Sequence, residues 1–173
     1  MLSYLKIEII LIDKIISMLA TIQFWIYSVF KFIMEKLGRY RIINDRIDSK
    51  PYLERYYIFL RNRTWFPFNI FIHKFLQSDP DDLHDHPWGF ISIPIYPGYW
   101  EWTKEGRYWR GPFSVRWQNS KFMHRVELHN KYNYCWTIFI PGYSNREWGF
   151  QTPTGWIKHE TYLNLRKQKK NEY

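Results

Sequence analysis

Two histidines one residue apart, His84 and His86, stand in the stretch Asp81-Asp-Leu-His-Asp-His-Pro-Trp88, and a third, His124, lies in Phe122-Met-His-Arg-Val-Glu127. On an extended chain, side chains two apart project from the same side, so both imidazoles of a His-x-His pair can face one point. A divalent metal needs that convergence, because two ring nitrogens then reach an ion about 2 Å away without distorting the backbone. A third ligand must come from elsewhere, and His124 on a separate predicted strand is the best placed. The candidate metal ligands are therefore His84, His86 and His124. Iron, manganese, zinc and nickel all accept imidazole, so the ion is not distinguished. In the competing reading the histidines are purely structural, satisfied by Trp and carboxylate neighbours. Asp82 and Asp85 fit either reading, as partners of structural rings or as outer acceptors that orient metal-bound ones. The sequence assigns no catalytic residue.

Three further histidines are placed by their surroundings. His73, in Phe71-Ile-His-Lys-Phe75, shares the parity of Phe71 and Phe75 and faces the interior, as a hydrogen-bonded core residue or as part of the site wall. His129, beside Asn130 at a turn, and His159, in the last expected strand, read as surface residues. The single cysteine, Cys135, excludes an internal disulfide and fits a reducing compartment. Its apolar run, Tyr134-Cys-Trp-Thr-Ile-Phe-Ile140, marks it as a buried structural thiol.

The elements that must carry these residues read as strands. Short aromatic or β-branched runs fall at 52–60, 68–76, 90–96, 99–103, 113–117, 122–128, 134–140, 147–151 and 156–163. Turn chemistry separates them, including Asp79-Pro-Asp-Asp, Pro97-Gly98, Gly111-Pro112, Pro141-Gly142 and Pro153-Thr-Gly155. Many short strands with evenly spaced turns mean an all-β sandwich or barrel. With 173 residues and 21% aromatics, one such domain plus an appendage fills the chain.

The appendage is N-terminal. Residues 15–34 carry only one charge, Lys31, a length that spans a bilayer. Yet Lys14, Ser17, Thr21, Ser28, Lys31 and Glu35 fall on one helical stripe, so the helix is also amphipathic. It could span a membrane, lie at its interface, pack on the barrel or bundle with copies of itself. Gly38 ends it in the C-cap position. The expected division is a hydrophobic helical segment at 1–38, a barrel at 39–165 and a basic tail at 166–173, with membrane contact available through 5–37. The net charge of +9 is uneven: eight basic residues lie between Lys36 and Arg63, and Arg166, Lys167, Lys169 and Lys170 close the chain. Such clusters suit a solvated surface or an acidic partner, anionic lipid or nucleic acid.

The histidine pattern resembles the cupin superfamily, whose first motif runs Gly, five residues, His-x-His, three or four residues, Glu, six residues, Gly. His84 and His86 match it and Gly98 falls at the last glycine, while Ser78 replaces the first glycine and Phe90 or Ile91 the glutamate. His124 matches the histidine of the second motif, whose proline, second glycine and asparagine are replaced by Asn119, Lys121 and Leu128. From about Arg41 to Leu163 the chain is similar to a group of small cupin-like proteins of bacteria and large DNA viruses. The shared marks include Pro51-Tyr-Leu-Glu-Arg-Tyr-Tyr57, Gly98-Tyr-Trp-Glu101, Cys135-Trp-Thr137 and Arg146-Glu-Trp-Gly-Phe150. The resemblance implies a double-stranded β-helix, or jelly-roll barrel, with a metal held by the three histidines, and edge-strand pairing into a homodimer. A composition heavy in Ile, Lys, Asn and Tyr suits an AT-rich genome such as a virus's. The expected location is intracellular, at a membrane if the helix anchors there, or in a virion or host cytoplasm if the chain is viral.

Cupins without the glutamate include three-histidine iron dioxygenases acting on thiols. By that resemblance an anionic small-molecule substrate and oxygen would meet at the metal, with Arg116, Arg125 or Arg146 as carboxylate clamps. Strand parity points Arg125 away from the metal, and Arg146 with Glu147 suits an ion pair at the barrel mouth. Glu101, just after the Pro97-Gly98 turn, is expected near the far end. Three readings follow. One is a metal-dependent dioxygenase or isomerase. The second is a non-catalytic structural or ligand-binding module, tethered through its helix. The third, a nucleic-acid binder, explains the rings less well than a barrel core does.

Overall fold

The computed structural model describes residues 2–46, 48–59, 69–80 and 82–171. Leu60, Arg61, Arg63, Phe68 and Asp81 lie outside the described residues, as do the side chains of Lys169 and Lys170. The chain divides into two compact units, Met1–Gly38 and Arg39–Tyr173.

The first unit is helix α1, Leu2–Lys36, uninterrupted by proline or glycine. It closes where Leu37 N–H donates to the Ile33 carbonyl and Gly38 N–H to that of Glu35, with Gly38 at φ 66°. That left-handed conformation costs glycine little, which is why the helix stops there. Residues 8–36 are long and apolar enough to cross a membrane by length and composition. Leu19, Phe24, Trp25 and Ile26 stand exposed on it.

The second unit is built from antiparallel strands. A six-stranded sheet runs in the order β1 (Tyr40–Asn44), β2 (Pro51–Tyr57), β3 (Phe71–Phe75), β9 (Cys135–Pro141), β4 (Phe90–Tyr96) and β7 (Arg116–Gln118). A three-stranded sheet orders β6 (Gly106–Arg110), β5 (Tyr99–Thr103) and β8 (Arg125–Leu128), and β10 (Gly149–Thr152) pairs with β11 (Gly155–Lys158). The β9 neighbours β3 and β4 are far from it in sequence, the crossed-over order expected of a jelly roll. Alternation sets the faces: Phe90, Ser92 and Pro94 on β4, and Tyr99, Glu101 and Thr103 on β5, are buried while their neighbours are half-exposed.

Between β8 and β10 runs a stretch that is not itself a strand. Asp79 N–H donates to Val126 O (2.8 Å), His84 and His124 exchange both backbone bonds (2.9 Å each), and Asp85 N–H donates to Gly149 O (3.0 Å). Gln151 N–H closes the seam on Leu83 O at 2.7 Å. Asp79 and residues 82–85 thereby join the smaller sheets into one wall facing the six-stranded sheet. Asp85, 2% exposed, locks the seam. Its carboxylate accepts from Gly149 N–H (2.7 Å), Arg146 Nη1 (2.5 Å) and Trp156 Nε1 (3.1 Å).

The structure departs from the sequence expectations at four places. Strands β1 and β6 lie in charged segments without apolar alternation and were not foreseen. The 113–117 run yields only β7, because Phe113 sits at φ 63° in a turn closed by Ser114 N–H on Gly111 O. The last run stops at Lys158, and helix α2 (His159–Asn171) takes over the segment assigned to a strand and a basic tail. The helix carries little apolar surface and is held by aromatic contacts of His159 and Tyr162. Tyr162, 4% exposed, stacks on Phe150 at 4.0 Å and donates to Asp82 at 2.9 Å.

A Cβ at Gly149 would lie 2.1 Å from Ile157 O and 2.8 Å from the Trp156 ring, so the β10–β11 hairpin must shift to admit one. Gly149→Ala is expected to destabilise the protein by about 1–3 kcal/mol, as overpacking does. Urea denaturation measures it, and an unchanged midpoint would show the hairpin is not fixed against the seam.

Candidate metal centre

His84 and His124 are brought side by side by their reciprocal backbone bonds, and His86 follows on the same side of the chain. The three rings stand 5.1–5.2 Å apart by centroids. One nitrogen from each ring lies within 4.8 Å of the others, and Nε2 of His86 is 2.9 Å from Nε2 of His124. Two nitrogens at right angles on an ion about 2.1 Å from each would be about 3.0 Å apart, so the spacing fits a shared ion.

His124, 5% exposed, is oriented from behind. Its Nδ1 lies 3.0 Å from Oε1 of Glu101, and Oε2 of Glu101 accepts from Arg110 Nε at 2.7 Å. An ionised carboxylate only accepts, so Nδ1 carries a ring proton and Nε2 faces the other histidines. Burial opposes the Glu101 charge, but hydrogen bonds and charge from His124 and Arg110 outweigh it and hold the carboxyl below its usual range. Burial likewise pushes His84 down to about 4 and His86 well below an ordinary histidine, keeping both rings neutral and able to donate lone pairs.

The centre opens on a cavity of about 690 Å³ between the walls. Phe90 packs on His86 at 4.9 Å and on His124 at 5.4 Å. Phe139 and Phe150 extend the apolar lining.

Glu101 is the functional residue that sequence reasoning misplaced. Strand β5 returns along β8 with Glu101 opposite Val126, which carries its carboxylate back to His124 rather than to the far end. The available signal was a glutamate sharing the inward parity of Tyr99. The carboxylates of Asp82 and Asp85 turn elsewhere, that of Asp82 to Tyr162 and that of Asp85 away into the seam, while the backbone of Asp82 is hydrogen-bonded to the His84 ring. Arg146 pairs with Asp85 rather than Glu147, whose carboxylate meets Lys158 at 3.4 Å. Arg125 lies over Trp102 on the outer face, as parity requires, and Arg116 is absent from the cavity lining. His73 both lines the cavity and is hydrogen-bonded in the core, by Arg55 Nε at 2.9 Å. His159 and His129 are both half-exposed, His159 stacked on Trp148 at 4.4 Å and His129 accepting from Lys131 N–H in its turn. Cys135 is fully buried, and burial pushes its thiol up to about 12.

No family model matches the chain, and no curated protein matches its sequence. Solved structures do. A cupin-2 domain from Rhodospirillum rubrum shares 8% identity, covers 67% of this chain and 78% of its own, and gives a TM-score of 0.53. A cupin 2 conserved barrel domain protein from Rhodopseudomonas palustris shares 7% identity over 67% of this chain and 80% of that one, also at 0.53. The Fe(II) form of HppE is 12% identical over 60% of this chain, with a TM-score of 0.48, and the match spans 57% of that longer protein. The likeness to the two cupin domains at 0.53 gives the second unit the cupin fold.

Buried neutral histidines bind protons only when the chain unfolds. Their stabilising share is present above the unfolded value of about 6.5 and is lost as pH falls toward the depressed native values. Metal-free protein is expected to lose Tm steadily between pH about 6.5 and 4, with a shallower loss in His84→Asn. A Tm constant across that window would contradict the buried neutral state.

Proposed function

We propose that the barrel is a metal-dependent cupin acting on a small organic molecule bound beside a divalent ion held by His84, His86 and His124. The observation that carries this reading is the convergence of three imidazole nitrogens within 4.8 Å on the wall of a large cavity. Glu101 fixes the His124 tautomer, Arg110 holds Glu101, and the phenyl rings of Phe90, Phe139 and Phe150 exclude water from one side of the site. When bound, the ion supplies Lewis acidity and open coordination positions. Three neutral ligands leave its double positive charge uncompensated, which favours an anionic substrate. Oxidation by dioxygen and isomerisation both suit such a centre, and the identity of the metal divides them, redox-active iron serving the first.

Elemental analysis of untagged protein is expected to find iron, manganese, zinc or nickel near one equivalent, lost in both His84→Ala and His124→Ala. Glu101→Gln should keep the fold and weaken metal affinity about 10- to 100-fold. Wild-type protein that takes up no metal on reconstitution would reduce the histidines to structural residues.

A second reading rests on α1, whose apolar side chains are exposed over a length sufficient to cross a bilayer. In it the barrel is a non-catalytic ligand-binding module tethered to a membrane. Full-length protein should then co-float with lipid vesicles and a chain beginning at Arg39 should not; equal behaviour of the two would discard the tether.

A further inference from the structure

Strands β1, β2, β3 and β9 place Arg41, Arg55, His73 and Thr137 directly opposite one another in a single cross-strand row. All four line the cavity. Two guanidiniums opposed on neighbouring strands repel, and the row itself supplies no negative charge to offset them. Arg55 is the inner of the two. Its Nε donates to Nε2 of His73 at 2.9 Å, and its guanidinium lies 4.7 Å over the Phe71 ring. Among the described residues no carboxylate is paired with it. His73 offers no compensating charge: burial first, and then Arg55, push it well below an ordinary histidine.

The cavity's other charged groups leave this position open. Asp79 is committed to the Tyr52 hydroxyl and to Val126 N–H (2.6 Å), within the histidine wall. Asp45 lies near the rim, where it accepts from Asp48 N–H at 2.9 Å. Arg46 stacks over Trp148 at 4.5 Å, and with exposed Arg41 it makes the mouth basic. Such a rim draws small anions inward. The path from Arg55 to the histidines is short and apolar: the Phe139 ring lies 5.3 Å from His73 on one side and 6.1 Å from His86 on the other.

We infer that Arg55 is the anchor for a substrate carboxylate, and that the substrate class is a small organic acid whose apolar body lies over Phe139 toward His86. With Nε held by His73 and one further N–H engaged by Tyr57, the guanidinium end still has N–H groups on both terminal nitrogens, a planar fork that matches a carboxylate with two parallel hydrogen bonds. Arg41 assists from the rim as a second positive charge. This names the substrate class for the metal-centre reading, yet the anchor does not itself require the ion.

The test is calorimetric titration of metal-free and metal-reconstituted protein with butyrate, benzoate and 3-phenylpropionate, and with the corresponding neutral amides. At least one acid is expected to bind saturably and its amide not to bind. Arg55→Gln should weaken that acid roughly 10- to 100-fold, the loss of a charged hydrogen-bonded pair, and leave histidine-dependent metal uptake unchanged. Arg55→Lys should recover part of the affinity, since charge returns without the fork. Should Arg55→Gln fail to fold, exposed Arg41→Gln provides the second measure, with a several-fold loss expected at low salt. Equal binding of acid and amide, no saturable binding of any of the three acids, or unchanged affinity in folded Arg55→Gln would overturn the anchor. Acid binding that persists in protein unable to take up metal would instead overturn the metal reading and leave the anchor standing.

Discussion

The reciprocal backbone bonds between His84 and His124, 2.9 Å in each direction, are the constraint on which the site depends. They bring together two residues forty positions apart and put their side chains on one side of the seam. They also place residues 82–85 where Leu83 and Asp85 can bond to β10. The residues flanking His84 then do separate work. Side chains alternate across an extended chain, so His84 and His86 face the cavity while Asp85 faces the opposite way. There it gathers Gly149, Arg146 and Trp156. A buried carboxylate is costly unless fully hydrogen-bonded, and this one is. Its satisfaction and the direction of the imidazoles are two consequences of the same backbone path.

A second buried carboxylate, Glu101, plays a different part. It spans Arg110 and His124, so its negative charge is offset on one side while it fixes a ring proton on the other. Glu101 is thus held behind the histidines, and Asp79, which lines the cavity beside them, is turned to the Tyr52 hydroxyl and Val126 N–H. Phe90 belongs to this pattern, packing a ring against two of the histidines. Positive charge enters instead from the six-stranded sheet, through Arg55 and the rim arginines.

Much of the fold was legible because strand cores advertise themselves. The alternation in β4 and β5 and the apolar run of β9 were visible, as was the cupin spacing of His84, His86 and His124. Segments whose structure comes from pairing rather than composition were not. Strands β1 and β6 are charged, with β6 stabilised by its partner β5, and α2 is tied down largely by Tyr162 against Phe150. Glu101 and Arg55 escaped for a related reason. Each lies far along the chain from the histidines, and only strand pairing says which distant residue it meets.

By itself the sequence determined what is local: side-chain period, turn positions, the stopping of α1 at Gly38 and the common facing of His84 and His86. Those features follow from the geometry of a few consecutive residues and survive any arrangement of the rest. The tertiary structure decided the partners. It set Glu101 behind His124, turned Asp85 and Arg146 into a lock rather than a binding pair, and aligned Arg41, Arg55 and His73 in one row. Those juxtapositions depend on sheet order and register. A shift of one residue would send every side chain to the opposite face, so they are fixed only when the whole barrel closes.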